Sequence, residues 1–139
     1  MNNSLWQVTL KSTSRGIYNR SQFWDKPIVV FNSASLCGFT NQLIDFETLY
    51  QSGKIVPIAI PTNNFGSQEP GDTTEIYQHY ERKYNVTYPI VDKATIEHDF
   101  FKVFGSPEWN FNKWLFDSKH VFVQRFDSKT KPMDLVEYV

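Results

Sequence analysis

The sequence predicts a small α/β domain built around a mixed sheet. Two apolar runs, Ile28-Val-Val-Phe31 and Ile55-Val-Pro-Ile-Ala-Ile60, have strand length, and each is followed by helical periodicity. Further on, Phe111 to Phe116 and Val121 to Phe126 flank the turn-forming Asp117-Ser-Lys-His120, which is the pattern of an antiparallel hairpin. The length, 139 residues, suits one domain over residues 1–139.

In chain order, Leu5 to Leu10 alternates weakly and, with Gly16-Ile-Tyr18 after a turn, reads as a short N-terminal hairpin. Ile28 to Asn32 is almost continuously apolar, as a central strand covered on both faces must be. Asn41 to Gln51 repeats Leu43, Phe46, Leu49 and Tyr50 along one side of a helix; Thr40 or Asn41 is placed to cap it and Gly53 to end it. Ile55 to Ile60 is a second buried strand, parallel to the first across a right-handed helical crossover. Asp72-Thr-Thr-Glu75 has capping-box spacing ahead of Ile76, Tyr80 and Tyr84, and Tyr88-Pro89 should stop that helix. A short helix over His98 to Phe104, the hairpin, and a last helix over Pro132 to Tyr138 complete the chain.

Charge and composition exclude several classes of function. A net charge of −1 with no basic cluster offers no electrostatic footprint for nucleic acid. No apolar stretch has the length of a membrane span. Met1-Asn-Asn-Ser-Leu-Trp6 has neither a charged head nor an apolar run, so it does not read as a signal peptide. The acceptor triplets at Asn2, Asn19 and Asn85 then read as chance matches. A lone cysteine fits a reducing compartment, and the expected location is cytoplasmic. His79, His98 and His120 are isolated, without metal-ligand spacing, and no phosphate-binding glycine loop is present.

The chemistry-bearing feature is that cysteine, in Asn32-Ser-Ala-Ser-Leu-Cys-Gly-Phe-Thr40. A thiol between the end of a strand and the start of a helix meets free backbone N–H groups, which favour the thiolate. Gly38 would allow a tight turn beside it. Two further segments carry polar residues after strand-like runs: Ile60-Pro-Thr-Asn-Asn-Phe-Gly-Ser-Gln-Glu-Pro-Gly71 and Trp109-Asn-Phe-Asn-Lys-Trp-Leu115.

Together these three blocks resemble the glutathione peroxidase family, whose patterns are like N-x-A-S-x-C-G-x-T, F-P-C-N-Q-F-G-x-Q-E-P-G and W-N-F-x-K-F-L. They occur in family order, and the resemblance runs from about Trp6 to Arg125. It implies a thioredoxin-like fold and a thiol-dependent peroxidase acting on hydrogen peroxide or organic hydroperoxides. Cys37 would be the nucleophile, with Gln68, Trp109 and Asn110 as neutral hydrogen-bond donors around its sulfur. Asn63, Phe65, Gly66, Glu69 and Pro70 would shape the loop presenting Gln68. The resemblance implies no cofactor and no metal; the co-substrate is an external thiol, glutathione or thioredoxin.

Departures from the pattern matter as much. Many relatives carry a second, resolving cysteine in a run like E-I-x-x-F-C; here it is Glu75-Ile-Tyr-Gln-His-Tyr80. Thr62 replaces the P-C-N-Q cysteine, and Asn64 replaces its glutamine. An oxidised Cys37 must therefore be resolved by an outside thiol, with glutathione expected over thioredoxin. The short connection from Phe101 to Trp109 lacks the insertion of oligomeric relatives, so a monomer is expected. The competing reading is a redox sensor or relay that passes its oxidation to a partner protein by an intermolecular disulfide. A Cys–His hydrolase fits poorly, since nothing supplies an oriented triad.

Overall fold

The computed structural model describes residues 3–139, so the Asn2 acceptor lies outside the described residues. Ser4 caps a 3₁₀ turn, Leu5–Gln7, by accepting the Trp6 N–H. The expected N-terminal hairpin forms later than the alternation suggested: β1 (Lys11–Ser12) pairs antiparallel with β2 (Gly16–Ile17). Leu5, Val8 and Leu10 are drawn out of any ladder because they fill the core beneath the main sheet.

The main sheet starts with β3 (Ile28–Ser33), followed by α1 (Gln42–Gln51) and β4 (Val56–Pro61), which pairs parallel to β3. Next come α2 (Thr73–Tyr84) and α3 (Asp99–Phe104). The strands β5 (Lys113–Phe116) and β6 (Phe122–Phe126) form the expected hairpin, and the expected last helix, Pro132–Tyr138, is of the 3₁₀ type. Strand order is β4-β3-β5-β6, with β3–β5 antiparallel. This is the mixed sheet of a thioredoxin-like α/β fold.

Side-chain alternation divides the core into two layers. Val29 and Phe31 of β3 pack with Leu43, Phe46 and Leu49 of α1 and Ile76 and Tyr80 of α2. Ile28 and Val30 face the other way, onto Leu10, Ile58, Phe100, Phe101, Trp114 and Phe116. Every residue of β3 and β4 is buried, which explains why their sequences read as unbroken apolar runs instead of alternating ones.

Helix termini follow local chemistry, with two corrections. The capping box forms on α2: Asp72 accepts the Glu75 N–H at 2.8 Å and Glu75 accepts the Asp72 N–H, an arrangement typically worth about 1 kcal/mol. That helix ends at Asn85, in the left-handed conformation, before Tyr88-Pro89 is reached. On α1, Asn41 makes no side-chain cap and Thr40 is engaged elsewhere, as described below. His98 caps α3 by accepting the Phe100 N–H. His120 receives the Trp6 indole N–H on Nδ1 at 2.7 Å, which leaves Nε2 to donate to the carbonyls of Phe23 and Lys26. It therefore clasps the N-terminal segment to the β5–β6 turn as a neutral imidazole.

Lys113 is the anomaly of the core. It is 0 % exposed, and burial pushes its ammonium down to about 7, the nearby Asp127 carboxylate acting in the opposite sense. Between that value and the ordinary one near 10.5, the unfolded chain holds a proton that the folded chain has released. Raising the pH through this window must therefore stabilise the fold. Urea unfolding should show stability rising by roughly 1 kcal/mol per pH unit between about pH 7.5 and 9. The trend should reverse near pH 10, because buried Tyr80 and Tyr88 resist the ionisation open to them in the unfolded chain. Lys113→Met should flatten the rising limb, and an unchanged slope in that variant would refute the assignment.

Candidate active site

Cys37 follows β3 on a segment that winds through successive turns into α1. The Thr40 N–H donates to the Cys37 carbonyl and the Gln42 N–H to the Phe39 carbonyl. The Thr40 hydroxyl ties this segment together: it accepts the Cys37 N–H at 2.9 Å and donates to the Ala34 carbonyl at 3.0 Å. That bridging role, not helix capping, is what the threonine does. A turn does form at Gly38, closed by the Thr40 N–H on the Cys37 carbonyl, without the left-handed region, and a Cβ there would meet nothing within 4 Å. The sulfur is half-buried and receives the Phe39 N–H at 3.4 Å.

The loop after β4 approaches from one side. Asn63 accepts the Glu69 N–H at 2.8 Å, closing the loop on itself, and Asn64 accepts the Ile96 N–H. Between them the chain passes through left-handed Gly66 and Ser67. A Cβ at Gly66 would stand 3.3 Å from both Gln68 Cδ and Trp109 Cη2, so glycine is needed here for conformation and for space. The carbonyl of Gln68 then accepts the N–H groups of Ser35 and Leu36, at 3.2 and 3.1 Å. This docks the loop directly onto the segment leading to Cys37.

From another side comes the segment before β5, fastened by Asn32. That fully buried side chain donates from Nδ2 to the Trp109 carbonyl at 2.8 Å and accepts the Asn112 N–H at 3.0 Å. Its own carbonyl accepts the Phe111 N–H at 2.7 Å. The turn needed to make these bonds places Phe111 at φ +63, a conformation that costs a bulky residue about 1–2 kcal/mol.

Gln68, Trp109 and Asn110, distant in sequence, are thereby brought together. Asn110 Nδ2 donates to Gln68 Oε1 at 2.9 Å and to the Phe65 carbonyl at 3.3 Å. Trp109 is 38 % exposed, with its ring edge-on to Phe65 at 5.8 Å. Both N–H groups of Asn110 are thus occupied, whereas Gln68 Nε2 and Trp109 Nε1 make no hydrogen bond among the described residues. Asn110 Oδ1 is buried without a partner, again among the described residues. Such an orphaned acceptor typically costs about 1–3 kcal/mol. No hydrogen bond joins Sγ to these three side chains among the described residues; the backbone contact at Gln68 is made by Ser35 and Leu36, just before Cys37.

Beneath the Cys37 segment lies a buried polar network that the sequence did not disclose. Glu69, 1 % exposed, accepts the Ser35 hydroxyl at 2.6 Å and the Tyr80 hydroxyl, and Tyr80 also lies 2.8 Å from Ser33 Oγ. Burial pushes the Glu69 carboxyl up, while both hydroxyls and Lys93 hold it down. Glu69 therefore bonds the hydroxyls of Ser35 and Tyr80 from within the loop it was expected to shape. Tyr80 is wholly buried, so the position of a resolving cysteine in relatives is here a core anchor between α2 and the Cys37 segment. Thr62, also buried, has no partner for Oγ1 among the described residues. Bordering this network at Ser35 and Glu69, a cleft of about 290 Å³ opens between Ser35 and Leu36 on one wall and Glu75, Ile76 and His79 of α2 on the other.

Comparison with known proteins agrees with this architecture. The family model described as "Glutathione peroxidase" matches residues 5–105. Glutathione peroxidase-like peroxiredoxin 2 of Saccharomyces cerevisiae is 34% identical, covering 97% of this chain and 94% of its own. The glutathione peroxidase of Lactococcus lactis is 31% identical over 86% of each chain. The crystal structure of Trgpx in its apo form superposes with a TM-score of 0.72 at 25% identity, covering 96% of this chain and 91% of that one. T. cruzi GPX1, at 20% identity and a TM-score of 0.69 over 96% and 92% of the two chains, shares the fold. No helix among the described residues is long and apolar enough to cross a membrane. The family match over most of the chain, the similarity to these relatives along nearly their whole length and the shared sheet make the chain a member of the glutathione peroxidase family and a glutathione peroxidase-like peroxidase.

Proposed function

We propose that the chain reduces hydrogen peroxide and organic hydroperoxides through Cys37, using an external low-molecular-weight thiol, glutathione, to complete each cycle. The observation that supports this reading is the docking of the Gln68 carbonyl on the Ser35 and Leu36 N–H groups, which ties the loop carrying Gln68, and Asn110 bonded to it, to the segment that leads to Cys37. The Cys37 thiolate attacks the terminal peroxide oxygen and the O–O bond breaks. Sulfur keeps that oxygen as a sulfenic acid, and the other oxygen takes a proton and departs as alcohol or water.

In this reading the free N–H groups of Gln68 Nε2 and Trp109 Nε1 stabilise the thiolate and the charge moving to the leaving oxygen. Asn110 fixes the Gln68 amide by filling its Oε1, so that Nε2 is the end left to donate. A first thiol then displaces water from the sulfenic acid to give a mixed disulfide on Cys37. A second thiol attacks that disulfide, restores the thiolate and leaves as the oxidised dithiol. The cleft beside Leu36 gives a small thiol a path toward the Cys37 segment. The protein acts as a monomer in the cytoplasm.

Cys37→Ser should abolish peroxide turnover with glutathione while leaving the fold intact; a Ser variant at the wild-type rate would overturn the reading. Intact mass after one equivalent of peroxide should show a sulfenic acid, converted by glutathione into a glutathionylated monomer. A dominant Cys37–Cys37 dimer would favour the sensor or relay instead. Light scattering at micromolar concentration should report a monomer, and a stable tetramer would contradict it.

A further inference from the structure

The core holds an ammonium group that packing alone does not call for. Lys113 lies on β5 opposite Phe31, with its Nζ 5.9 Å from the centre of the Phe46 ring on the α1 side of the sheet, where an apolar side chain would fill the space without the penalty of burying a charge. Its Nζ instead reaches three backbone carbonyls: Phe111 at 2.8 Å, Ser128 at 3.2 Å and Asp127 at 3.3 Å. The shortest of these contacts is to the residue held at φ +63.

Ser128 completes the arrangement. Its hydroxyl donates to the Asn110 carbonyl at 2.5 Å and accepts from Asn112 Nδ2 at 3.1 Å. Its carbonyl takes, besides Lys113, the side-chain amide of Gln42, the first residue of α1. The segment from Asn110 to Asn112 is therefore gripped twice. Asn32 holds its N–H groups from β3, and Lys113 with Ser128 holds its carbonyls from the end of β6.

The left-handed turn is what separates the two grips. Were Phe111 to relax to an ordinary extended conformation, the peptide planes on either side would rotate, and Asn110 would lose its register against Gln68 and Phe65. We propose that Lys113 is a positioning residue for the peroxidase reaction: with Ser128 it stabilises the left-handed backbone at Phe111, and so fixes Asn110 and, through it, the amide of Gln68. Neither Lys113 nor Ser128 touches the reacting atoms. The inference rests on the function proposed above, in which Asn110 orients Gln68.

A double-mutant cycle tests it, with the second-order rate of Cys37 oxidation by hydrogen peroxide read from intact mass after quenching. Asn110→Ala alone should slow oxidation. Lys113→Met should slow it about tenfold in the parent protein and less than twofold when Asn110 is already alanine. Equal slowing in both backgrounds would assign Lys113 a general structural role and overturn the proposal, as would an unchanged rate in a folded Lys113→Met protein. If Asn110→Ala is itself without effect, the proposed role of Asn110 fails, and this inference with it. If Asn110→Ala is slow and Lys113→Met is not, this inference alone fails. Should Lys113→Met not fold, Ser128→Ala removes the direct bond to Asn110 with a smaller change. It should show the same dependence on Asn110, and additive effects would again overturn the proposal.

Discussion

Everything around Cys37 depends on one buried amide. Asn32 ends the apolar run of β3 and spends its side-chain donor, its side-chain acceptor and its backbone carbonyl on Trp109, Asn112 and Phe111. A carboxamide is suited to this because it donates and accepts from one rigid plane without bringing a charge into the core. The chain reaches Cys37 five residues later, through the turns that follow β3. The segment from Trp109 to Asn112 is thus indexed to β3 and inherits the stiffness of a strand paired on both sides.

The floor of the site is equally constrained. The Glu69 carboxylate lies in the core, where it needs hydroxyl donors, and it finds them on Ser35 of the Cys37 segment and Tyr80 of α2. The carboxylate therefore joins three parts of the chain that the hydrophobic layers alone would leave free to slide: the loop after β4, the turn into α1, and α2. A residue that looked like loop shaping is a junction.

How much of this was legible beforehand follows from which interactions are local. Strands buried on both faces, the capping box at Asp72 and the turn at Asp117 announce themselves because composition, period or side-chain spacing records them. The resemblance of the three motif blocks to a known family named Cys37, Gln68, Trp109 and Asn110 as candidates. The partners of those members were not legible. Ser128 bonds Asn110 across 18 residues and Tyr80 bonds Glu69 across 11, and neither serine nor tyrosine carries any local mark of a distant partner. Phe111 is harder still, since a bulky residue gives no sequence signal for a positive φ. Thr40 was misread because a hydroxyl near a helix start has a familiar use as a cap, and bonds to Cys37 and Ala34 in the preceding turns took its place.

The burial of Tyr80 also bears on how this chain relates to two-cysteine members of its family. Restoring a thiol at that position would remove a ring from a filled core and strip Glu69 of a hydroxyl donor. The cost of such a change is typically about 3–5 kcal/mol, a large fraction of the stability of a small domain. A cysteine at position 80 would therefore be accommodated only with compensating changes around Glu69, so the packing of α2 against the Cys37 segment is what keeps a second sulfur out of this position.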